Sequence, residues 1–177
     1  EAHALGVMGS EGRGESFGIK EPISIISGTF GKAFGSGGAF LATDKVIGKD
    51  LIQNCGAFRY TTALAPSICA SALAALNLIK NNPSWGNKLQ EESIALRDKL
   101  SQIGWQRPLG KGAIISIILG SDELAMTYQK KMEEQGLLTV AIRPPTVPEG
   151  KSRLRIIIRR NTPVGTFERL IKILKIK

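Results

Sequence analysis

The sequence is poor in the residues from which most metal and redox sites are built. Among 177 residues there are one histidine, two cysteines and two tryptophans. Cys55 and Cys69 have no metal-ligand spacing and supply no disulfide framework, so no metal is expected and free thiols in a cytoplasmic protein are. No apolar run approaches the roughly 18 residues that a membrane span needs. The opening residues, Glu1-Ala2-His3-Ala4-Leu5-Gly6, lack the basic start and apolar stretch of a secretory signal. They also lack an initiator methionine, and the chain reads as one that begins within a longer protein. Acidic residues are the minority, 15 against 24 lysines and arginines, for a net charge of +9.

What is present suffices for real cores. The chain is 42% hydrophobic with a mean hydropathy of +0.01, which suits one or two globular domains. Its charge is uneven: residues 151–177 hold nine lysines and arginines and one acid, Glu168. Such a stretch suits nucleic acid, an acidic carrier protein or a phosphorylated cofactor, and equally a solvated face. Readers of nucleic acid add stacking aromatics to charge. Only Phe167 lies in this stretch, at a core-facing spacing, so nucleic acid is not expected as a partner.

Residues 22–27 and 38–43 read as strands, the first as a buried one because of the apolar run from Ile23 to Ile26. Asp44 is placed to cap a helix running to about Asn54. Residues 58–62 read as a short extended piece. Pro66 opens a helix to Ile79 so rich in small residues that tight, largely buried packing is expected. Asn81-Asn82-Pro83-Ser84-Trp85-Gly86 is the best boundary. A helix follows with Leu89, Leu96, Leu100 and Ile103 on one face and Gly104 as its stop. Then come a strand over 113–119, a helix carrying Leu124, Tyr128 and Met132 inward, and strands over 138–142 and 154–158. Thr162-Pro163 is expected to cap a last helix with Val164, Phe167, Leu170, Ile171 and Leu174 inward. Helices alternating with strands describe a compact α/β unit.

The chemistry centres on Ser27-Gly28-Thr29-Phe30-Gly31-Lys32-Ala33-Phe34-Gly35-Ser36. A strand delivers one lysine into a loop of small residues with a hydroxyl three positions earlier, a way to present an amine to a large planar phosphorylated cofactor. Burial there would favour the neutral, nucleophilic amine; a Gly-rich surface turn with a solvated lysine is the plainer alternative. The loop is no phosphate-binding P-loop, because Ala33 follows Gly31-Lys32 and Ile26 stands where the first glycine belongs. Nor do its glycines have the spacing of a dinucleotide fingerprint.

Four motifs occur in order: Glu1-Ala2-His3-Ala4-Leu5-Gly6, the lysine loop, Tyr60-Thr61-Thr62-Ala63-Leu64-Ala65-Pro66, and Ala141-Ile142-Arg143-Pro144-Pro145-Thr146-Val147-Pro148-Glu149-Gly150. Together they resemble the α-oxoamine synthases, pyridoxal-phosphate enzymes of the aspartate-aminotransferase fold (fold type I), over essentially the whole chain. The resemblance is to the C-terminal half of a member. Residues 1–84 would be part of the large cofactor-binding domain and residues 85–177 the small C-terminal α/β domain. Lys32 would hold pyridoxal 5'-phosphate covalently and move protons at the substrate α-carbon. Thr29 would bind the cofactor phosphate and His3 its phenolic oxygen. Thr61 and Thr62 would reach a phosphate in the neighbouring subunit of a homodimer. Arg143 would hold the amino-acid carboxylate, and Thr146 would line the substrate pocket. The stretch from Arg143 to Pro148 resembles the branch that joins L-alanine to a pimeloyl thioester, on coenzyme A or a carrier protein. A branch using glycine or serine is the nearest alternative.

The resemblance has departures. The family's aspartate before Glu1, its cofactor-stacking aromatic ring and its other phosphate ligands lie outside this sequence, which would leave half the site missing and keeps a catalytically dead scaffold in view. Arg159-Arg160-Asn161-Thr162 stands where the family tends to have small residues and a histidine. An aspartate before Glu1-Ala2-His3 would also spell a helicase box, and the basic C-terminal stretch suits a nucleic-acid motor. Lys32 and the Arg143 motif decide against that reading.

Overall fold

A computed structural model describes residues 1–175, so Lys177 of the basic stretch lies outside the described residues. The chain forms two compact units, Glu1–Asn87 and Lys88–Lys177.

The first unit holds the strands β1 (Ile25–Thr29) and β2 (Ala39–Thr43) and the helices α1 (Lys45–Asn54), α2 (Gly56–Arg59) and α3 (Pro66–Asn81). β1 and β2 pair antiparallel from Ile25 opposite Thr43 to Thr29 opposite Ala39. The Asp44 carboxylate caps α1 as its sequence position predicts, accepting from the amides of Val46 (2.8 Å) and Ile47 (2.9 Å). Three features of this unit differ from expectation. β1 is largely exposed, with only Gly28 buried, because a two-stranded ribbon leaves its apolar residues without a second layer. Residues 56–59 are a helical turn rather than an extended piece. No residue of α3 is buried. Its half-buried stripe is Ile68, Ala72, Ala75 and Ile79, spaced by four, three and four, while Leu73, Leu76 and Leu78 on its other faces stand exposed.

The second unit is a two-layer α/β structure. Helix α4 (Trp85–Gln102) leads into it, followed by β3 (Ile114–Gly120), α5 (Asp122–Glu134), β4 (Val140–Ile142), β5 (Ser152–Ile157) and α6 (Thr166–Lys175). β5 lies between β3 and β4, antiparallel to both. Alternation along the strands sends Ile115, Ile117, Leu154 and Ile156 into one core with Leu96 and Leu100 of α4, Tyr128 and Met132 of α5, and Leu170 and Leu174 of α6. Leu89 and Ile103 pack at its margin, and Gly104 (φ 92°) ends the turn after α4. Leu124 is exposed, and Ala125 takes the inward place expected of it. α6 starts at Thr166, not at Thr162-Pro163, because the Thr162 hydroxyl closes a turn onto the Arg159 carbonyl (2.6 Å) and leaves Val164 fully exposed.

A buried arginine ties this layer together. Arg97 of α4 donates to the carbonyls of Leu109 (3.3 Å), Gly112 (3.2 Å) and Ile114 (2.7 Å), and also to Ser93. Burial, helped by the nearby charge of Arg107, pushes its pKa down. Among the described residues no carboxylate pairs with it; carbonyl dipoles meet its N–H groups instead, which is how a buried guanidinium is tolerated. Replacing Arg97 by Leu strands these carbonyls at a cost of about 1–3 kcal/mol for each one left buried and unpaired. Urea unfolding of Arg97→Leu is expected to show a loss of at least about 2 kcal/mol, with Arg97→Lys recovering only a fraction, since one ammonium cannot span the set. An unchanged midpoint would contradict the role given to this residue.

Candidate functional site

Lys32 sits at the tip of the loop joining β1 to β2, and the loop is tightly bound to itself. The Phe30 amide donates to Gly38 O (3.0 Å), the Ser36 amide to Phe30 O (2.9 Å) and the Gly35 amide to Lys32 O (2.9 Å). The Phe30 ring meets Phe34 edge-on at 5.2 Å and Phe40 at 5.6 Å, and Phe34 is buried. Gly38 (φ 94°) has no room for a side chain: a Cβ there would lie 2.4 Å from Leu64 Cδ1. The Thr29 hydroxyl donates to Gly38 O (3.1 Å) and accepts from the Gly31 amide (3.2 Å). Its one proton is thus spent on the loop, and contact with a phosphate requires that bond to be exchanged. Lys32 itself is exposed, as on the solvated turn that was the alternative to a buried amine. Among the described residues its amine has no hydrogen bond and no ion pair.

The His3 turn lies against this loop. Leu5 Cδ1 packs on Gly28, where a Cβ would come within 2.8 Å of it and within 2.4 Å of the Phe40 ring. Gly6 faces the Ala33 methyl at the same close range, and the Glu1 nitrogen donates to Ser27 O (2.5 Å). Helix α3 supports both parts: Ile68 O accepts from the Ser36 hydroxyl (2.8 Å), and the Ile79 methyl reaches Gly6. His3, exposed, and Lys32 are therefore carried on neighbouring backbone although they are 29 residues apart.

Sequence reading missed the loop after His3, although its Gly6, Gly9, Gly12 and Gly14 spacing was visible. This loop folds back through Gly6 N to Gly12 O (2.7 Å) and Gly14 N to Met8 O (3.0 Å). Glu1 anchors it, its carboxylate accepting from the amides of Ser16 (2.6 Å) and Glu15 (3.1 Å). Burial acts to raise the Glu1 pKa, but hydrogen bonding from the Ser16 side chain, followed by these two amides, outweighs it and holds the carboxyl below its usual range.

The remaining candidates are placed differently. The Thr61 hydroxyl bonds back to Ala57 O in α2, while α3 starts at Pro66 and its N-cap, Ala65, offers no side-chain cap. Thr62 is exposed. Arg143 and Thr146, both exposed, belong to the second unit, in a turn closed by Thr146 N to Arg143 O (3.0 Å). In that unit the structure adds Arg155. It stands mid-way along the central strand β5, between Ser116 and Val140 on the sheet face away from the helices. Its Nε is buried and has no hydrogen-bond partner among the described residues. A guanidinium N–H left unpaired in a sheet face is a ready donor to an anion. The alternation Arg153-Leu154-Arg155-Ile156 was the sequence signal for it.

Residues 1–174 match the family described as aminotransferase class I and II. The chain belongs to that family. It is 36% identical to 8-amino-7-oxononanoate synthase of Lysinibacillus sphaericus over 177 residues, covering 99% of this chain and 46% of that protein. It is 39% identical to a putative 8-amino-7-oxononanoate synthase of Acetivibrio thermocellus over 174 residues, 97% and 45% of the two chains. Among solved structures, 8-amino-7-oxononanoate synthase of Francisella tularensis superposes with a TM-score of 0.86 at 30% identity, covering 99% of this chain and 52% of that one. Serine palmitoyltransferase of Sphingomonas wittichii does so at 0.87 and 26%, covering 99% and 45%. The family member thus spans about half the length of the curated relatives it matches, and its fold is that of fold type I enzymes.

The lowered Glu1 pKa carries a sign. The folded carboxyl ionises more readily than the unfolded one, so its stabilisation is complete above the ordinary glutamate value of about 4.3 and is lost as pH falls through the folded value. Hydrogen exchange at the amides of Glu15 and Ser16 is expected to lose protection, relative to the rest of the unit, as the solution is acidified through that range. Glu1→Gln should show the same loss at neutral pH. Equal protection in the variant at pH 7 would remove the anchoring role.

Proposed function

We propose that this chain carries the lysine-bearing part of a pyridoxal-phosphate acyltransferase that joins L-alanine to a pimeloyl thioester. The products are 8-amino-7-oxononanoate, CO2 and the free thiol, in biotin synthesis. The observation that carries the reading is Lys32, an amine without a partner among the described residues, on a rigid hairpin loop beside the only histidine, in a chain of this family. Relatives bearing the 8-amino-7-oxononanoate synthase name, at 36–39% identity, support the alanine branch. The structural likeness to serine palmitoyltransferase keeps a serine- or glycine-using branch as the second reading, since TM-scores of 0.86 and 0.87 do not separate the two.

The residues fit the cofactor chemically: an available amine, a threonine hydroxyl, a histidine turn and guanidinium groups for carboxylates. When bound, pyridoxal phosphate supplies an electron sink for the substrate α-carbon. Lys32 supplies the amine that holds it and then removes and returns the proton at the alanine Cα. Thr29 exchanges its bond to Gly38 O for a phosphate oxygen. His3 donates to the phenolic oxygen. Thr61 and Thr62 serve the phosphate of a second copy in a homodimer, for which Thr61 must release Ala57 O. The family resemblance gives the alanine carboxylate to Arg143 and a place in the pocket wall to Thr146; the unpaired Nε of Arg155 supports Arg155 as the stronger clamp.

Two measurements test this. Borohydride reduction of the chain with pyridoxal phosphate should fix the cofactor on the peptide containing Lys32; label on a peptide lacking Lys32 would overturn the assignment. Alanine titrated against the cofactor absorbance should bind at least tenfold more weakly to Arg155→Ala, and Arg155→Lys should not restore it, because an ammonium lacks the planar fork. If Arg143→Ala shows that loss and Arg155→Ala does not, the carboxylate belongs to Arg143.

A further inference from the structure

The sheet of the second unit has one face packed on its helices and one face open, and the open face carries two cations. The central strand β5 sends Leu154 and Ile156 into the core, so Arg153, Arg155 and Ile157 stand on the other side. The ladders fix their neighbours. Arg153 lies between Ile118 of β3 and Ile142 of β4, Arg155 lies between Ser116 and Val140, and Ile157 pairs with Ile114. Two guanidinium groups are thus set in a face whose other paired positions are aliphatic except Ser116, with no acidic residue in any of the three strands. Like charges rooted two residues apart, roughly 7 Å along a strand, repel each other and attract anions.

The two arginines are bonded differently. Arg153 donates from Nε to the carbonyl of Lys151 (3.0 Å), two residues back along the same strand. That bond bends its side chain toward the start of β5, away from Arg155. Among the described residues its two Nη groups have no hydrogen bond or ion pair. Arg155 has no such tether, and its buried Nε is unpaired among the described residues. Heads drawn apart in this way suit two separate anionic groups better than one phosphate held between them. The positions on either side of Arg153 are isoleucines, Ile118 and Ile142, which suit methylenes leading up to the anion. A carboxylate at the end of an aliphatic chain has that form, and the parallel N–H groups of a guanidinium match it.

We propose that Arg153 recognises the terminal carboxylate of a dicarboxylic acyl group and so makes the chain selective for a pimeloyl thioester over an uncharged acyl thioester. The inference rests on the acyl-transfer reading above, in which Arg155 or Arg143 holds the carboxylate of the amino acid. It adds the residue that reads the far end of the acyl chain. Selectivity has an attractive and a repulsive part. The carboxylate gains a charge-assisted pair with Nη groups that have no bond to give up. An acyl chain ending in a methyl group lays apolar atoms against the same cation and takes water from it with nothing in return.

The test is calorimetric binding of this chain to three pantetheine thioesters, pimeloyl, its terminal methyl ester and heptanoyl, which requires neither turnover nor cofactor. The pimeloyl thioester should bind saturably and the other two about tenfold more weakly. Because the ester alters the ligand and leaves the protein intact, a folding defect cannot imitate this result. Arg153→Leu should bind all three alike, and Arg153→Lys should keep only part of the preference, since an ammonium lacks the planar fork. Arg155→Ala should keep the preference while losing alanine affinity. Absence of pimeloyl binding by the parent chain, equal binding of acid and ester, or a preference that survives Arg153→Leu would each overturn the proposal. So would full displacement of the thioester by an equal concentration of inorganic phosphate, which would mark a single phosphate site. If the preference depends on Arg153 while Lys32 is not labelled by cofactor, recognition of the acyl terminus stands and the catalytic reading fails. If Lys32 is labelled while acid and ester bind alike, the catalytic reading stands and the role of Arg153 fails.

Discussion

Gly28 and Gly6 let side chains lie directly on backbone, and the lysine site depends on that closeness. Leu5 and Phe40 occupy the space a side chain at Gly28 would need, and the Ala33 methyl occupies the space beside Gly6. In the first unit Val7 and Phe34 are the only buried large hydrophobics among the described residues, so a core cannot be what sets these loops. Dispersion contacts at the glycines are individually small but numerous, and they act together with the loop's own hydrogen bonds. Any side chain at Gly28 would push the Leu5 turn, and with it His3, away from the strand that carries Lys32. The half-buried stripe of α3 completes the arrangement by touching the lysine loop through Ile68 and the histidine turn through Ile79.

The second unit solves its problem by other means. Its sheet is backed by a continuous core, and that backing holds Arg153 and Arg155 in register on the opposite face. A strand with period two can pair leucine and isoleucine inward with arginine outward without compromise. Polar chemistry can therefore be placed on this sheet without weakening it, whereas the lysine loop must supply its own rigidity from turns, glycines and a three-ring aromatic cluster.

Much of this was legible from sequence where local chemistry decides the outcome. Asp44 capped α1, Gly104 ended the turn after α4, and the periodicity of Leu96, Leu100, Tyr128, Met132, Leu170 and Leu174 marked the core. Burial was less legible because it depends on what other elements cover. The β1 run and α3 were expected to be buried from their composition, and neither is; Lys32, for which burial and a solvated turn were both open, is exposed. Competing hydroxyl bonds explain other differences. Thr61 and Thr162 each found a carbonyl three or four residues back, which turned one expected extended piece into a helical end and moved the start of α6 past Val164.

Arg97 and Arg155 show why partners, more than residue type, decide what a side chain is for. Arg97 is wholly buried and Arg155 is buried at its Nε, and neither has a carboxylate beside it in any hydrogen bond or ion pair of the described residues. Arg97 spends Nε, Nη1 and Nη2 on Ser93 and three backbone carbonyls, so any further ligand would have to displace a bond that holds the Leu109 loop. Arg155 keeps an N–H buried and unspent on an open sheet face. A donor without a protein partner has no bond to give up when an acceptor arrives. The same reasoning separates Thr29, whose proton must first leave Gly38 O, from Lys32, whose amine has nothing to leave. The groups with bonding capacity left over are the ones from which binding and catalysis can be built.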